Sequence, residues 1–182
     1  GDLTAHSIFS DPSGVDFIIS DGTNEVNAHC NLPGRFNVSN CLAAIGAARG
    51  AGIDLQTAAR GIGRLQRVPG RMETIDLGQA FTAIVDFAHT PNALENAIKT
   101  VQRITDGKII VIFGSAGLRD REKRRLMAEK SAQLSDITII TAEDPRTENL
   151  DSILTEMQKA AENQGAVLGK NLFIVPDRGK AI

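Results

Sequence analysis

Short apolar runs alternate with longer stretches whose apolar side chains recur at helical spacing, and no other feature restricts the fold as much. The clearest run is Ile109–Phe113 (IIVIF), continuous rather than alternating, as a central parallel strand covered on both faces requires. A helix is expected over about 121–134 and a strand over 136–141. Leu150, Ile153, Leu154, Met157 and Ala161 mark another helix, and 172–175 another strand. Upstream, 71–76 and 81–86 read as strands around Leu77-Gly78-Gln79. Thr90-Pro91 then opens a helix, with Thr90 as N-cap, Pro91 in its first turn, and Leu94, Ala97, Ile98, Val101 and Ile104 along one face. Strands joined by helices form right-handed crossovers. The expected class is α/β, a Rossmann-like, mostly parallel sheet with flanking helices over 68–182.

Before Val68-Pro69-Gly70 the pattern differs. Asp16–Ser20 and Glu25–Cys30 predict a hairpin through Asp21-Gly22-Thr23-Asn24. A helix is expected from Asn37 to about Ala51, ended by Gly52, and another from the N-cap Asp54 to Leu65. The Val68-Pro69-Gly70 break is the expected domain boundary, with a partial α/β domain over 1–67 and a second domain over 68–182.

Charge excludes some partners. The 20 Lys+Arg and 22 Asp+Glu give −2, and no segment demands the basic face of a nucleic-acid binder. The longest apolar run is far too short to span a membrane. Cys30 and Cys41 form no CxxC pair, so both are expected to be reduced, half-buried and at home in the cytoplasm.

Ligands of such sheets bind beyond the carboxyl ends of the strands. Three polar loops are expected there on one rim: Asp86-Phe87-Ala88-His89, Gly114-Ser115-Ala116-Gly117 and Glu143-Asp144-Pro145-Arg146. The glycine loop is either a tight turn or a place where phosphate meets backbone N–H groups. It has neither G-x-G-x-x-G spacing nor a P-loop lysine, and residues 1–98 hold no lysine at all. Arg119–Arg125 (RDREKRR) is a solvated helix start or an anion-binding one, and Arg119 is best placed to hold a carboxylate. Asp144 and Arg146 form either a turn with an internal ion pair or a grip on both ends of an amino acid. Asp86 and His89 suit a proton acceptor, a phosphate contact or a metal's outer shell. His6, His29 and His89 show no ligand spacing, so no protein metal site is assigned.

Several longer segments converge on one family. Leu32–Ala44 (LPGRFNVSNCLAA) resembles the LxGxFNxxNxLAA segment that closes the central ATPase domain of Mur ligases. Val68–Glu73 (VPGRME) resembles the start of their C-terminal domain. Val85–Glu95 (VDFAHTPNALE), Gly117–Arg124 (GLRDREKR) and Glu143–Glu148 (EDPRTE) are similar to VDYAHTPDALE, GDRDxxKR and DNPRxE of the MurE, or tripeptide synthetase, type.

The resemblance implies an ATP-dependent ligase of peptidoglycan synthesis, and through it of cell-wall growth, cell shape and division. Such enzymes join an amino acid to UDP-MurNAc-L-Ala-D-Glu through an acyl phosphate. Carried over by position, Asn40 contacts adenine, Arg71 and Asp86 the nucleotide, and His89, the candidate catalytic residue, lies near the phosphates. Arg119, Asp144 and Arg146 hold the incoming amino acid. ATP and Mg²⁺ are the implied cofactors, bound mostly by residues outside this chain, and the partners are the UDP-MurNAc-dipeptide, the amino acid and the rest of the polypeptide. The chain is accordingly expected to be a fragment, inactive alone. Asp144 stands where many diaminopimelate-adding relatives have Asn and resembles lysine-adding enzymes, so L-lysine is placed ahead of meso-diaminopimelate. Other Mur-type amide ligases (cyanophycin synthetase, folylpolyglutamate synthetase, a lipid II-amidating partner) and a non-catalytic binding module remain alternatives.

Overall fold

The turn at Asp21 shows how local chemistry sets the first sheet. Its carboxylate accepts the backbone N–H groups of Thr23 and Asn24 at 3.1 and 2.8 Å. These bonds, Asn24's first, hold its pKa down to about 2. That turn joins β2 (Gly14–Ser20) to β3 (Glu25–Cys30) in the computed structural model, which describes residues 3–182. A further strand, β1 (Thr4–Asp11), pairs antiparallel with β2. Sequence periodicity did not disclose it, because its register shifts between His6 and Phe9 and none of its side chains is fully buried. A strand with a bulge and no buried face leaves little period-two signal.

Helices α1 (Phe36–Gly50) and α2 (Leu55–Arg64) pack on this sheet. Val15, Phe17, Ile19, Val38, Ile45 and Leu55 form the shared core. Cys30 and Cys41 are buried rather than half-buried, at 4% and 5% exposure, and both are free thiols. The hydrogen bond between them pulls the Cys30 thiol down and pushes the Cys41 thiol up. Asp54 caps α2 by accepting the Thr57 N–H at 2.8 Å. Asp54→Ala is therefore expected to cost about 1 kcal/mol, read as a lower urea midpoint at unchanged slope; an unchanged midpoint would remove the cap from the account of this helix.

The strands β4 (Glu73–Ile75) and β5 (Ala83–Val85) are shorter than expected and pair antiparallel in a separate two-stranded sheet. Gln79 sets the turn between them, its Nε2 donating to the Ile75 carbonyl at 2.6 Å. Contacts divide the chain into two compact units, one ending at Phe87 and the other starting at Ala88, with Val68-Pro69-Gly70 inside the first.

The second unit has the expected α/β architecture. After α3 (Pro91–Gln102), strands β6 (Ile110–Phe113), β7 (Ile137–Ile140) and β8 (Leu172–Ile174) form a parallel sheet in the order β6-β7-β8. Helices α4 (Arg121–Leu134) and α5 (Leu150–Glu162) make the crossovers, and the short α6 (Arg178–Ala181) follows β8. Phe113, Ile140 and Leu172 share a core with Leu94 and Ile98 of α3, Met127 of α4 and Ile153 and Met157 of α5. The opposite strand positions, Ile110, Ile112, Ile139 and Phe173, stay partly exposed, so α3, α4 and α5 cover one face of the sheet rather than two.

Candidate functional site

The loops after β6 and β7 approach each other so closely that only glycine fits between them. A Cβ on Gly114 would lie 2.5 Å from the Thr141 carbonyl oxygen, and one on Gly117 only 2.0 Å from that of Pro145. The glycines of this loop thus serve loop-to-loop packing. The Gly117 N–H donates to the Asp144 carbonyl at 2.8 Å, and the Leu118 N–H to Glu148 Oε2 at 3.0 Å. Leu118 and Arg146 take left-handed φ values of 53° and 51°, strained for side chains of their size.

Arg119, Asp144 and Arg146 all stand exposed on these two bound loops. The Arg146 N–H donates to Asp144 Oδ1 at 3.0 Å, and Arg146 Nε lies 3.7 Å from Asp144 Oδ2. The turn thus has the internal ion contact of the first reading, long and solvated. Arg119 has no ion pair among the described residues.

Most of the basic run has another use. Arg124 is fully buried and donates from both terminal nitrogens to Glu148, at 2.9 Å each, and from Nη1 to Glu156 at 2.9 Å. Arg121 joins Glu156 at 3.1 Å, and Arg125 pairs with Glu122 and Glu129. The guanidinium of Arg124 draws the Glu148 carboxyl down to about 2. Neither a solvated face nor an anion site describes Arg124. One signal was available: it lies on the same helical stripe as Met127, Ala128 and Ser131, all buried. Nothing in the sequence paired it with Glu148 and Glu156, 24 and 32 residues on.

Asp86-Phe87-Ala88-His89 does not follow a strand of the parallel sheet, contrary to expectation, because β5 pairs with β4. On the rim of the sheet the third loop is the one after β8, where Arg178 Nη1 donates to the Ala142 carbonyl at 3.1 Å. In the first unit, Asp86 Oδ2 accepts the Met72 N–H at 2.9 Å, and the Phe87 N–H donates to Gly70 at 2.7 Å. This folds the 70–73 turn over the end of β5 and sets the Arg71 guanidinium 5.0 Å above the Phe87 ring. Arg71 and Asp86 are thus brought together. Asn40 lies exposed on α1, its amide donating to Asn37, and His89 lies exposed beside the cap of α3 in the second unit.

The Arg71 guanidinium is exposed over the Phe87 ring, while the Asp86 carboxylate is turned to the Met72 N–H. For a divalent cation, no three His, Cys, Asp or Glu side chains converge on one point among the described residues. A cavity of about 360 Å³ opens at the other, amino-terminal end of β6 and β7, lined by Gln102, Gly107, Leu134 and Asp136, away from every candidate residue of this unit. No helix among the described residues is long and apolar enough to cross a membrane.

Comparison with known proteins matches residues 70–182 to the Mur ligase, glutamate ligase domain. Over its whole length the chain is 40% identical to a UDP-N-acetylmuramyl-tripeptide synthetase of Roseiflexus sp. (strain RS-1), of which it covers 36%. It is 38% identical, also over its whole length, to a UDP-N-acetylmuramoyl-L-alanyl-D-glutamate–2,6-diaminopimelate ligase of Geobacillus thermodenitrificans, again covering 36%. A solved structure of a ligase with that same description is 32% identical, with a TM-score of 0.57, and the chain covers 36% of it. MurF of Acinetobacter baumannii, at 18% identity and a TM-score of 0.77 over 37% of its chain, shares the fold.

Proposed function

The chain belongs to the Mur ligase family, and from that premise we propose that it works as the C-terminal part of an ATP-dependent ligase. That enzyme would attach a diamino acid to the D-Glu carboxylate of UDP-MurNAc-L-Ala-D-Glu in the cytoplasm, during peptidoglycan synthesis. The observation that carries the reading is the exposed trio Arg119, Asp144 and Arg146 on two interlocked loops. A guanidinium grips the carboxylate of an amino acid bidentately, and an exposed carboxylate receives an ammonium.

Residues 1–67 are read as the tail of the ATPase domain and 68–182 as the amino-acid-binding domain, a division supported by the family match beginning at residue 70. ATP supplies the activation of the D-Glu carboxylate. Toward it, Arg71 and Asp86 would hold charged and hydroxyl groups of the nucleotide, Asn40 the base, and His89 would serve near the phosphates. Mg²⁺ would draw most of its ligands from outside this chain. Because the chain spans 36% of its named relatives, turnover is expected from the longer protein and not from these 182 residues alone. Amino-acid-dependent ADP release by the isolated chain would contradict this division of labour.

Asp144 bears on the third residue. A carboxylate there favours a side-chain terminus that is purely cationic over one that also carries a carboxylate. L-lysine is therefore placed ahead of meso-diaminopimelate, although the Geobacillus relative and the 32%-identical solved ligase are named for the latter. A substrate panel measuring ADP release decides it. Lysine is expected to turn over faster, and Asp144→Asn to shift kcat/KM toward diaminopimelate by about tenfold, the effect of roughly 1.4 kcal/mol. Faster wild-type turnover with diaminopimelate would refute the preference while leaving the ligase assignment standing.

A further inference from the structure

We propose that Glu148, clamped by Arg124, is a positioning residue that sets the spacing between the two arms of the amino-acid site; this rests on the reading of that site given above. Glu148 reaches both loops. Its backbone N–H donates to the Pro145 carbonyl at 3.0 Å and closes the turn that carries Arg146. Its Oε2 accepts the Leu118 N–H at 3.0 Å, one residue before Arg119.

The clamp comes from below the surface. Arg124, with no exposure, holds both carboxylate oxygens at 2.9 Å. A bidentate guanidinium fixes the plane of a carboxylate as well as its distance. Oε2 is thereby kept on Leu118 while Oε1 is occupied. The two strained residues sit at the ends of this link, Leu118 with φ 53° and Arg146 with φ 51°. Left-handed backbone persists in such residues only where surrounding bonds over-determine it. When the link loosens, both relax, and the side chains of Arg119 and Arg146 point elsewhere. Glu148 thus acts through Arg119, Asp144 and Arg146, and its loss is felt by the amino acid more than by the nucleotide.

The test uses the full-length ligase and amino-acid-dependent ADP release, with two substitutions. Glu148→Asp keeps the charge one methylene short, and Glu148→Gln keeps the length but not the charge. Each is expected to raise KM for the amino acid at least tenfold while KM for ATP stays within twofold. Asp54→Ala, destabilised in the other unit, is the control for stability alone and should move neither constant. Should a glutamate variant fail to fold, Arg124→Lys, which keeps the buried charge without the fork, is read in the same way. Unchanged amino-acid KM in the folded variants, or an equal rise in both KM values, overturns the positioning role. An inactive wild type, given UDP-MurNAc-dipeptide, ATP and either diamino acid, overturns the proposed function and the positioning role with it.

Discussion

Arg124→Met is expected to lower the unfolding free energy of the second unit by about 3 kcal/mol at neutral pH, and by much less at pH 3. Methionine fills the space left by the arginine stem, so the loss is mainly electrostatic. Glu148 and Glu156 would face each other without the cation that now bridges them at 2.9 Å. Breaking a buried pair from one side costs about 3–5 kcal/mol. The low end applies because the two carboxylates keep 21% and 27% exposure and can be hydrated.

The sign of the pH effect follows from Glu148. Its folded pKa is depressed to about 2 from an ordinary 4.5, chiefly by Arg124. A depressed carboxyl contributes stability that is complete above the unfolded pKa and is lost as pH falls toward the folded value. Wild type therefore loses this contribution between about pH 4.5 and 2, whereas the variant has little of it to lose. Urea denaturation of both proteins at pH 7 and pH 3 measures the gap. A deficit of equal size at both pH values would mean that packing, not charge, is what Arg124 provides.

Gly117→Ala should cost about 3 kcal/mol as well, by a different route. The added carbon would meet the Pro145 carbonyl oxygen at 2.0 Å and its carbon at 2.7 Å, and both are backbone atoms that no rotamer change can move. Overpacking of this kind costs about 1–3 kcal/mol. Separating the loops also weakens the bond from the Gly117 N–H to Asp144, a further loss of about 1 kcal/mol. Gly61→Ala is the matched control. Gly61 lies inside α2 with nothing within 4 Å of the added carbon, so alanine should stabilise by about 0.5–1 kcal/mol. Opposite signs in urea denaturation are the expected result. A Gly117→Ala protein as stable as wild type would show that the two loops are free to part.

Local elements were legible where the cause is local. The caps Asp54 and Thr90 accept the N–H groups three residues on, as their side chains and positions require. The helices over 121–134 and 150–162 follow from apolar spacing, because a stripe of side chains facing one sheet must recur every three or four residues. The polar loops after β6 and β7 were legible for the same reason: strands carry few polar groups, so a polar cluster marks where each strand ends. Even the glycine spacing of 114–117 pointed to a close approach, although it could not say that the other party is the neighbouring loop rather than a phosphate.

Other features depend on partners distant along the chain. Whether β5 pairs with β4 or with the parallel sheet depends on a partner that the local pattern does not name. The exposed face of β6 and β7 was invisible because a continuous apolar run reads alike whether one face is covered or two. Above all, Arg124 carries the same charge as Arg119 five residues earlier, yet one is sealed under Glu148 and the other stands in solvent. Composition places both in one basic run around the start of α4, and only the helical stripe sets Arg124 apart. Their separate roles arise from which carboxylate the fold brings within hydrogen-bond reach, because a charge can be buried only where its counter-charge is already held.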